Sequence, residues 1–453
     1  MRLACRGAQL ECSVADLVYR SPSDFADSIR AELIGREFEP PPVEILRDLA
    51  QTLFAVSLRT EEGQSIVVQC VFMDPENPDP DPPERITPDR WTAIPLGERA
   101  SFSVESVVKL ATATDPRTSS LAVYTSSEDG LSIWGLVDQA NRYYDFLNFD
   151  SDSGPTTPGL FHIGIEGPGH LSAWTGYDRI AELRVSELLG LPVDALGSGS
   201  LRDALDPAIQ AHIAEVFQGM PAEMHEYCDH WNTSLTGDWI SLLCRLLLRA
   251  RNHRHGGAIL LTPDTSEAHL SVKYRLPYGR LRAALTTSGI ATIKHTYASD
   301  QIHEDFLDSD LDELPTGLYL DEAVYGAELK DIESEIDGAV WFTSLLTRVD
   351  GLVLMTPRLE VCGFGVEITA HAEPSMVVRA LDPEGGNQEV IDYAHYGTRH
   401  RSMMRYCHAI PGSVGFVISQ DGDVRAMLSQ GEGVVVWENL KIQFHNFRDQ
   451  LTQ

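Results

Sequence analysis

The chain has 453 residues, with 35 Lys and Arg against 67 Asp and Glu, for a formal charge of -32. That length allows roughly two to four domains, the charge opposes long-range attraction of DNA or RNA, and no uncharged apolar run reaches the roughly 18 residues of a membrane span. Seven scattered cysteines without a Cys-x-x-Cys pair, and a polar start at Met1–Arg6, point to a reduced, cytoplasmic protein.

Residues 13–150 read as an α+β module. Ser23–Leu33 and Val43–Ala55 carry helical periodicity and are separated by Pro40-Pro41-Pro42. Ser65–Phe72 and Leu131–Val137 are apolar runs of strand type. Between them, Asp74–Pro83 holds too many prolines for a helix or central strand and predicts an exposed loop with solvated acids. Trp134, Tyr143, Tyr144 and Phe146 read as packed core in preference to a ligand pocket. After the Asp150–Pro155 linker, residues 151–235 read as a small α/β connector of this module. There Leu160–Ile165 and Leu171–Trp174 predict a hairpin around Gly167-Pro168-Gly169, and Ile180–Leu189 predicts a helix. His225–His230 gathers five potential metal ligands, yet without a second ligand pair it reads as a helix end with solvated groups.

From Thr236 the pattern alternates. Asp238–Arg251 and Glu328–Arg348 are helical, Ala258–Leu261 and Leu352–Met355 strand-like, predicting an α/β domain with a mixed sheet flanked by helices over 236–440. Asp308–Glu313 fails as a calcium loop, because Glu313 and Tyr319 stand where Gly and a bidentate Glu are required. Asp337-Gly338-Ala339 lies within a helix whose face carries Ile332, Ile336, Val340 and Ser344, so Asp337 reads as solvated. Asp350-Gly351-Leu352 instead falls at a helix-to-strand junction. Gly351 permits a tight turn there and leaves Asp350 at the end of the sheet, where α/β proteins place ligands. The polar stretch Thr369–Tyr396, with Gly385-Gly386-Asn387, predicts a lid or an interface loop.

The most chemically loaded stretch is Gly397-Thr398-Arg399-His400-Arg401. Guanidinium forks match phosphate oxygens, and Thr398 as N-cap of a helix running through Cys407 would aim backbone N–H groups at the same anion. The 28 residues Tyr393–Gln420 contain no Asp or Glu, yet hold Arg399, Arg401, Arg405, His395, His400 and His408. One basic island in so acidic a chain fits a small phosphorylated ligand caught in a local pocket better than a nucleic acid.

These residues carry a resemblance. Asp350–Met355, Gly363-Phe364-Gly365, Gly397–Arg401 and Val417-Ile418-Ser419, with Leu246–Arg249 and Gly256–Leu261 upstream, resemble the signature of diadenylate cyclase (DAC) domains over about residues 236–440. The resemblance implies that two ATP molecules condense into cyclic di-AMP with Mg²⁺ or Mn²⁺, in domains that self-associate face to face. It assigns catalysis to Asp350, Arg399, His400 and Arg401, with Asp350 binding the metal and helping to deprotonate the ribose 3′-hydroxyl. Gly351, Leu352, Gly397, Thr398 and Ser419 would contact the nucleotide, and Asp421 is a further candidate metal ligand. Leu352 replaces the family's Ala, and Ser419-Gln420-Asp421 replaces Ser-Glu-Glu. Two alternatives therefore stand beside the cyclase: a nucleotide sensor without turnover, and a cyclase making a different dinucleotide. Upstream, Glu61-Glu62-Gly63, the acidic proline-rich loop and Trp134–Asp138 resemble a sensor domain called DACNV, which implies control of the cyclase by the first module.

Overall fold

The computed structural model describes residues 19–80, 90–126, 130–139, 141–149, 159–221, 224, 230–303, 316–420 and 422–442. Asp308–Glu313, His225–Asp229, Asp421 and the whole 150–155 linker lie outside them. The chain divides into two compact units, Met1–Leu191 and Pro192–Gln453, a division that falls within the 151–235 stretch.

The first unit opens with α1 (Pro22–Gly35), set by a capping box in which Ser21 and Asp24 satisfy each other's backbone N–H. After the proline break come α2 (Val43–Ser57), a two-residue hairpin of β1 (Thr60–Glu61) and β2 (Gln64–Ser65), β3 (Val68–Phe72), β4 (Thr92–Ser101) and α3 (Val104–Ala111). β5 (Ser119–Ser126), β6 (Gly130–Asp138), α4 (Asn141–Leu147), β7 (Phe161–Gly167), β8 (His170–Thr175), β9 (Asp178–Arg184) and β10 (Glu187–Leu189) complete it. The main sheet runs β10-β9-β8-β7-β3-β5-β6-β4, with β3 and β5 parallel and every other pair antiparallel. Ile29, Leu33, Leu46 and Leu53 of the helices bury against Val68, Cys70, Leu121, Ile163 and Leu171. A second apolar cluster holds Val71, Met73, Trp91, Trp134 and Tyr143, so Trp134 and Tyr143 are core.

The helix expected over Ile180–Leu189 is instead the β9–β10 hairpin, turned at Val185 with φ 58°. The three-residue spacing of Ile180 and Leu183 mimics a helix face. Cross-strand partners decide the matter: Ala181 faces Ala173 and Leu183 faces Leu171 on β8, and four consecutive residues, Ile180–Leu183, are buried. No helix among the described residues is long and apolar enough to cross a membrane.

The second unit contains α5 (Ser200–Gln218), α6 (Asn232–Asn252), β11 (Gly257–Leu261), β12 (Leu270–Tyr278), α7 (Arg280–Ile302), α8 (Thr316–Leu346) and β13 (Leu352–Met355). β14 (Val361–Ile368), β15 (Val377–Ala380), β16 (Gln388–Val390), α9 (Thr398–Ala409), β17 (Val414–Ile418), β18 (Val424–Gln430) and β19 (Gly433–Trp437) follow. Its sheet runs β12-β14-β13-β11-β17-β18-β19-β15-β16, and β11·β13 and β15·β19 are the parallel pairs. The unit is thus α/β with a mixed sheet and flanking helices. β11, β13, β17 and β19 are buried at every position, and they read as continuous apolar runs for that reason. Met403, Met404 and Cys407 of α9 pack on Leu260, Leu354, Val417 and Met427.

Thr369–Tyr396 is not a lid: it adds β15 and β16 to the sheet. Its turn is tied down where Trp437 Nε1 donates to the Asp382 carbonyl at 2.9 Å and the Asp382 carboxylate accepts from the backbone N–H groups of Gly386 and Asn387.

Candidate functional site

Register brings three chain segments to one end of the second sheet. β11 lies parallel to β13, with Ile259 opposite Val353, and antiparallel to β17, with Gly257 opposite Ile418. Gly256, which precedes β11, Asp350-Gly351, which precede β13, and Ser419-Gln420, which follow β17, therefore sit side by side. Gly351 has φ +108°, and a Cβ there would stand 2.6 Å from the carbonyl carbon of Gly365. Only glycine fits such a turn. The turn leaves Asp350 exposed, with no hydrogen-bond or ion-pair partner among the described residues.

The basic loop arrives from the α9 side. α9 begins at Thr398 with Gly397 as N-cap, and no side chain caps it. Thr398 is thus the first helical residue and not the cap that the sequence predicted, because Gly397 already takes the extended conformation, φ -60° and ψ 162°, that a cap requires. Gly397 and Thr398 are exposed, and the first-turn N–H groups have no side-chain acceptor. Arg399 reaches the sheet end: a Cβ on Gly256, whose φ is +67°, would lie 3.2 Å from Arg399 Nη1 and 3.2 Å from Gln420 Cγ.

Neither Arg399 nor Arg401 has an acidic partner among the described residues, and Arg401 Nε is buried without a hydrogen bond. Arg405, one turn on, is different: it pairs with Glu373 at 2.5 Å. A guanidinium with open donors beside an uncapped helix start is a site for an anion.

His400 plays another part. Arg425 Nη1 lies 3.0 Å from His400 Nε2, and since guanidinium only donates, Nε2 accepts. Burial, then the charges of Arg425 and Arg399, push the imidazole down to about 4, so it stays neutral and orients Arg425. Arg425 also lies over the Tyr396 ring, 6.0 Å from its centroid. Ser419 Oγ accepts from the backbone N–H of Asp423 at 3.0 Å, which closes the β17–β18 turn at the same sheet end. Leu352 is 4 % exposed and packs with Ala258, Leu260, Val366 and Met403 under α9. Asp337 of the other Asp-Gly-Ala pairs with Arg245 of α6.

One contributor was not singled out from the sequence. Residues 239–263 form another acid-free window, carrying Arg245, Arg249, Arg251, His253, Arg254 and His255. The end of α6 delivers its last members to Gly256 through a left-handed Arg254, φ 51°. Arg254 and His255 are exposed, and Arg348, Arg249 and His255, after burial, hold the His253 imidazole below its ordinary range. The longer acid-free run 268–299 also carries Arg275, Arg280 and Arg282, but these pair with Glu267, Glu335, Glu215 and Glu360, so missing acids alone do not mark the site.

Among the described residues no group of three or more His, Cys, Asp or Glu is placed to hold a metal. The donor set at the sheet end is the single Asp350 carboxylate, which fits an Mg²⁺-type ion that takes one or two protein carboxylates and completes its shell with phosphate oxygens and water.

Residues 36–138, from the end of α1 to β6, match the family model described as probable sensor domain DACNV. The first unit therefore contains a sensor-type domain. No curated protein matches the chain.

Proposed function

We propose that the second unit is a nucleotide cyclase of the diadenylate type, joining two ATP molecules into cyclic di-AMP and releasing two pyrophosphates, under control of the DACNV-matched first unit. The arrival of Arg399 at the sheet end that holds Asp350, with Arg401 following in the same helix turn and neither arginine having an acidic partner among the described residues, carries this reading. The sensor match supports it, since DACNV is a domain found with diadenylate cyclases.

In this reading Arg399, Arg401 and the N–H groups of the first turn of α9 bind the triphosphate and neutralise charge developing on the leaving pyrophosphate. Asp350 accepts the proton of the ribose 3′-hydroxyl. The 3′-oxygen forms its bond to the α-phosphorus of the facing nucleotide as the bond from that phosphorus to the pyrophosphate breaks. Mg²⁺ or Mn²⁺, held by Asp350 and the phosphates, supplies Lewis acidity when bound. Since each domain holds one nucleotide and the product joins two, the active form is self-associated.

Gln420, placed against Gly256 beside Arg399 where the family carries a carboxylate, favours a second reading, a nucleotide sensor without turnover. Incubation of the full chain with ATP and Mn²⁺ or Mg²⁺, followed by mass spectrometry, decides. Cyclic di-AMP is the expected product. Tight ATP binding with no product establishes the sensor, and a product of another mass establishes a different cyclase. Asp350→Asn is expected to lower turnover by at least about 10²-fold while changing ATP affinity only a few-fold.

A further inference from the structure

An aromatic pair stands beside Asp350 with no role in the chemistry above. Tyr274 of the edge strand β12 faces Phe364 of β14 in register, and the two rings stack with centroids 4.9 Å apart at 22°. Phe364 is half-buried, whereas Tyr274 is 43 % exposed on a strand whose neighbouring side chains are polar. Lys273 Nζ lies 5.3 Å from the Tyr274 ring centroid, so the exposed part of the ring carries a mobile cation in place of apolar cover.

The pair faces the site. Val272 and Tyr274 alternate onto one face of β12, and Val272 packs with the cluster that holds Leu352, Val366 and Met403 of α9. The rings therefore lie on the α9 face, the face from which Arg399 and Arg401 come. They also lie close to Asp350. Gly365 has φ +63°, and a Cβ there would meet Tyr274 Cδ2 at 3.1 Å and the Asp350 carbonyl at 3.5 Å. Any larger residue at 365 would push the ring away from the Asp350 backbone. From Gly256, where Arg399 docks, to Tyr274 the order is β11-β13-β14-β12, three strand spacings or about 14 Å across the sheet, with Tyr274 roughly three residues, about 10 Å, further along the strands. A nucleoside triphosphate bridges such a span from base to phosphates, with the ribose falling over Asp350-Gly351.

We infer that Tyr274, backed by Phe364, is the stacking surface for the base of the nucleotide bound by Arg399 and Arg401, and that it selects purine over pyrimidine triphosphates by ring overlap. The inference rests on the nucleotide reading above and adds to it the residue that holds the base. Stacking rewards the larger π-face without reading hydrogen-bonding edges, so the platform distinguishes ring size and not adenine from guanine.

Calorimetric titration of the full chain with ATP, CTP and inorganic tripolyphosphate tests it. Tyr274→Ala is expected to weaken ATP about 5- to 100-fold, to erase most of the preference over CTP, and to leave tripolyphosphate affinity unchanged. Tyr274→Phe retains ATP binding, and Arg399→Ala weakens all three probes. Unchanged ATP affinity in Tyr274→Ala overturns the platform and leaves the nucleotide reading standing. Equal loss of ATP and tripolyphosphate also overturns it, since the ring then only supports the fold. Wild-type protein that binds neither ATP nor tripolyphosphate defeats the nucleotide reading, and the platform with it.

Discussion

In the first unit the carboxylate of Glu182, buried on β9, meets His170 at 2.7 Å, Arg184 at 2.7 Å and Arg179. In the second unit Arg399 and Arg401 meet no acid among the described residues, although the chain carries 67 of them. Burial alone would raise Glu182, yet the His170 hydrogen bond and the charges of Arg179, His170 and Arg184 bring it down to about 2. Charge that the protein satisfies from its own side chains belongs to architecture, because removing either partner strands the other in a poor solvent. Charge left open in an acid-free neighbourhood, beside uncapped backbone N–H groups, awaits a counter-charge from outside the chain. The contrast separates residues whose loss costs stability from residues whose loss costs binding.

Three measurements test that separation. The largest effect is expected from Arg399→Ala combined with Arg401→Ala. At about 1.5–3 kcal/mol for each charge-assisted bond, ATP affinity should fall about 10²- to 10⁴-fold by calorimetry. The thermal midpoint should hardly move, since no ion pair is broken. A double variant that is destabilised but still binds ATP would erase the distinction between the two regions.

Glu182→Gln comes next, with the opposite signature. Leaving the surrounding cations without their counter-ion should cost the first unit about 3–5 kcal/mol in urea unfolding, read by hydrogen exchange across β8 and β9. ATP affinity should remain that of the wild type. Unaltered exchange on those strands would show that Glu182 does not hold the cluster.

The smallest effect is a separation of acid sensitivities. The His400 imidazole lies at about 4 against an ordinary 6.5, so the unfolded chain takes up its proton first. Its contribution is full above pH 6.5 and declines as pH falls towards 4. Glu182 lies at about 2 against an ordinary 4.5, so its contribution is full above 4.5 and is lost as pH falls towards 2. Hydrogen exchange followed against pH should show protection around α9 and β18 weakening in the higher window, where burial also holds His162 of β7 and His212 of α5 at about 3 and about 4, and the Glu182 step around β9 following only in the lower. His400→Gln should remove the higher-window loss around α9 and β18 and leave the others in place.

Elements whose signals are short-range were readable in the chain itself. The periodicity of Ser23–Leu33 falls within α1, the Gly167–Gly169 turn joins β7 to β8, and the apolar runs of β11 and β13 follow from burial on both faces. Misreadings occurred where one pattern serves two structures. Ile180 and Leu183 suit a helix face as well as a strand buried on both sides, and partners on β8 made the choice. Glycines 385 and 386 mark a flexible loop by composition, yet that turn is secured by Asp382 and Trp437.

At the candidate site the amino-acid order alone determined which groups are available: two arginines and a histidine in an acid-free run, and an Asp-Gly at a helix-to-strand junction. Hydrogen-bonding capacity, backbone freedom and charge are properties of residue type, so composition and spacing carry them. Only the tertiary structure decided which groups meet. Pairing of β11 with both β13 and β17 puts Gly256, Asp350 and Gln420 at one sheet end, although Gly256 and Gln420 stand far apart in the chain. Pairing of β13 with β14 and of β14 with β12 buries Leu352 in the core and brings the Tyr274 ring to Gly365, next to the Asp350 backbone carbonyl. Strand register is a choice among long-range partners, made by the burial of the whole sheet, and no short segment encodes it.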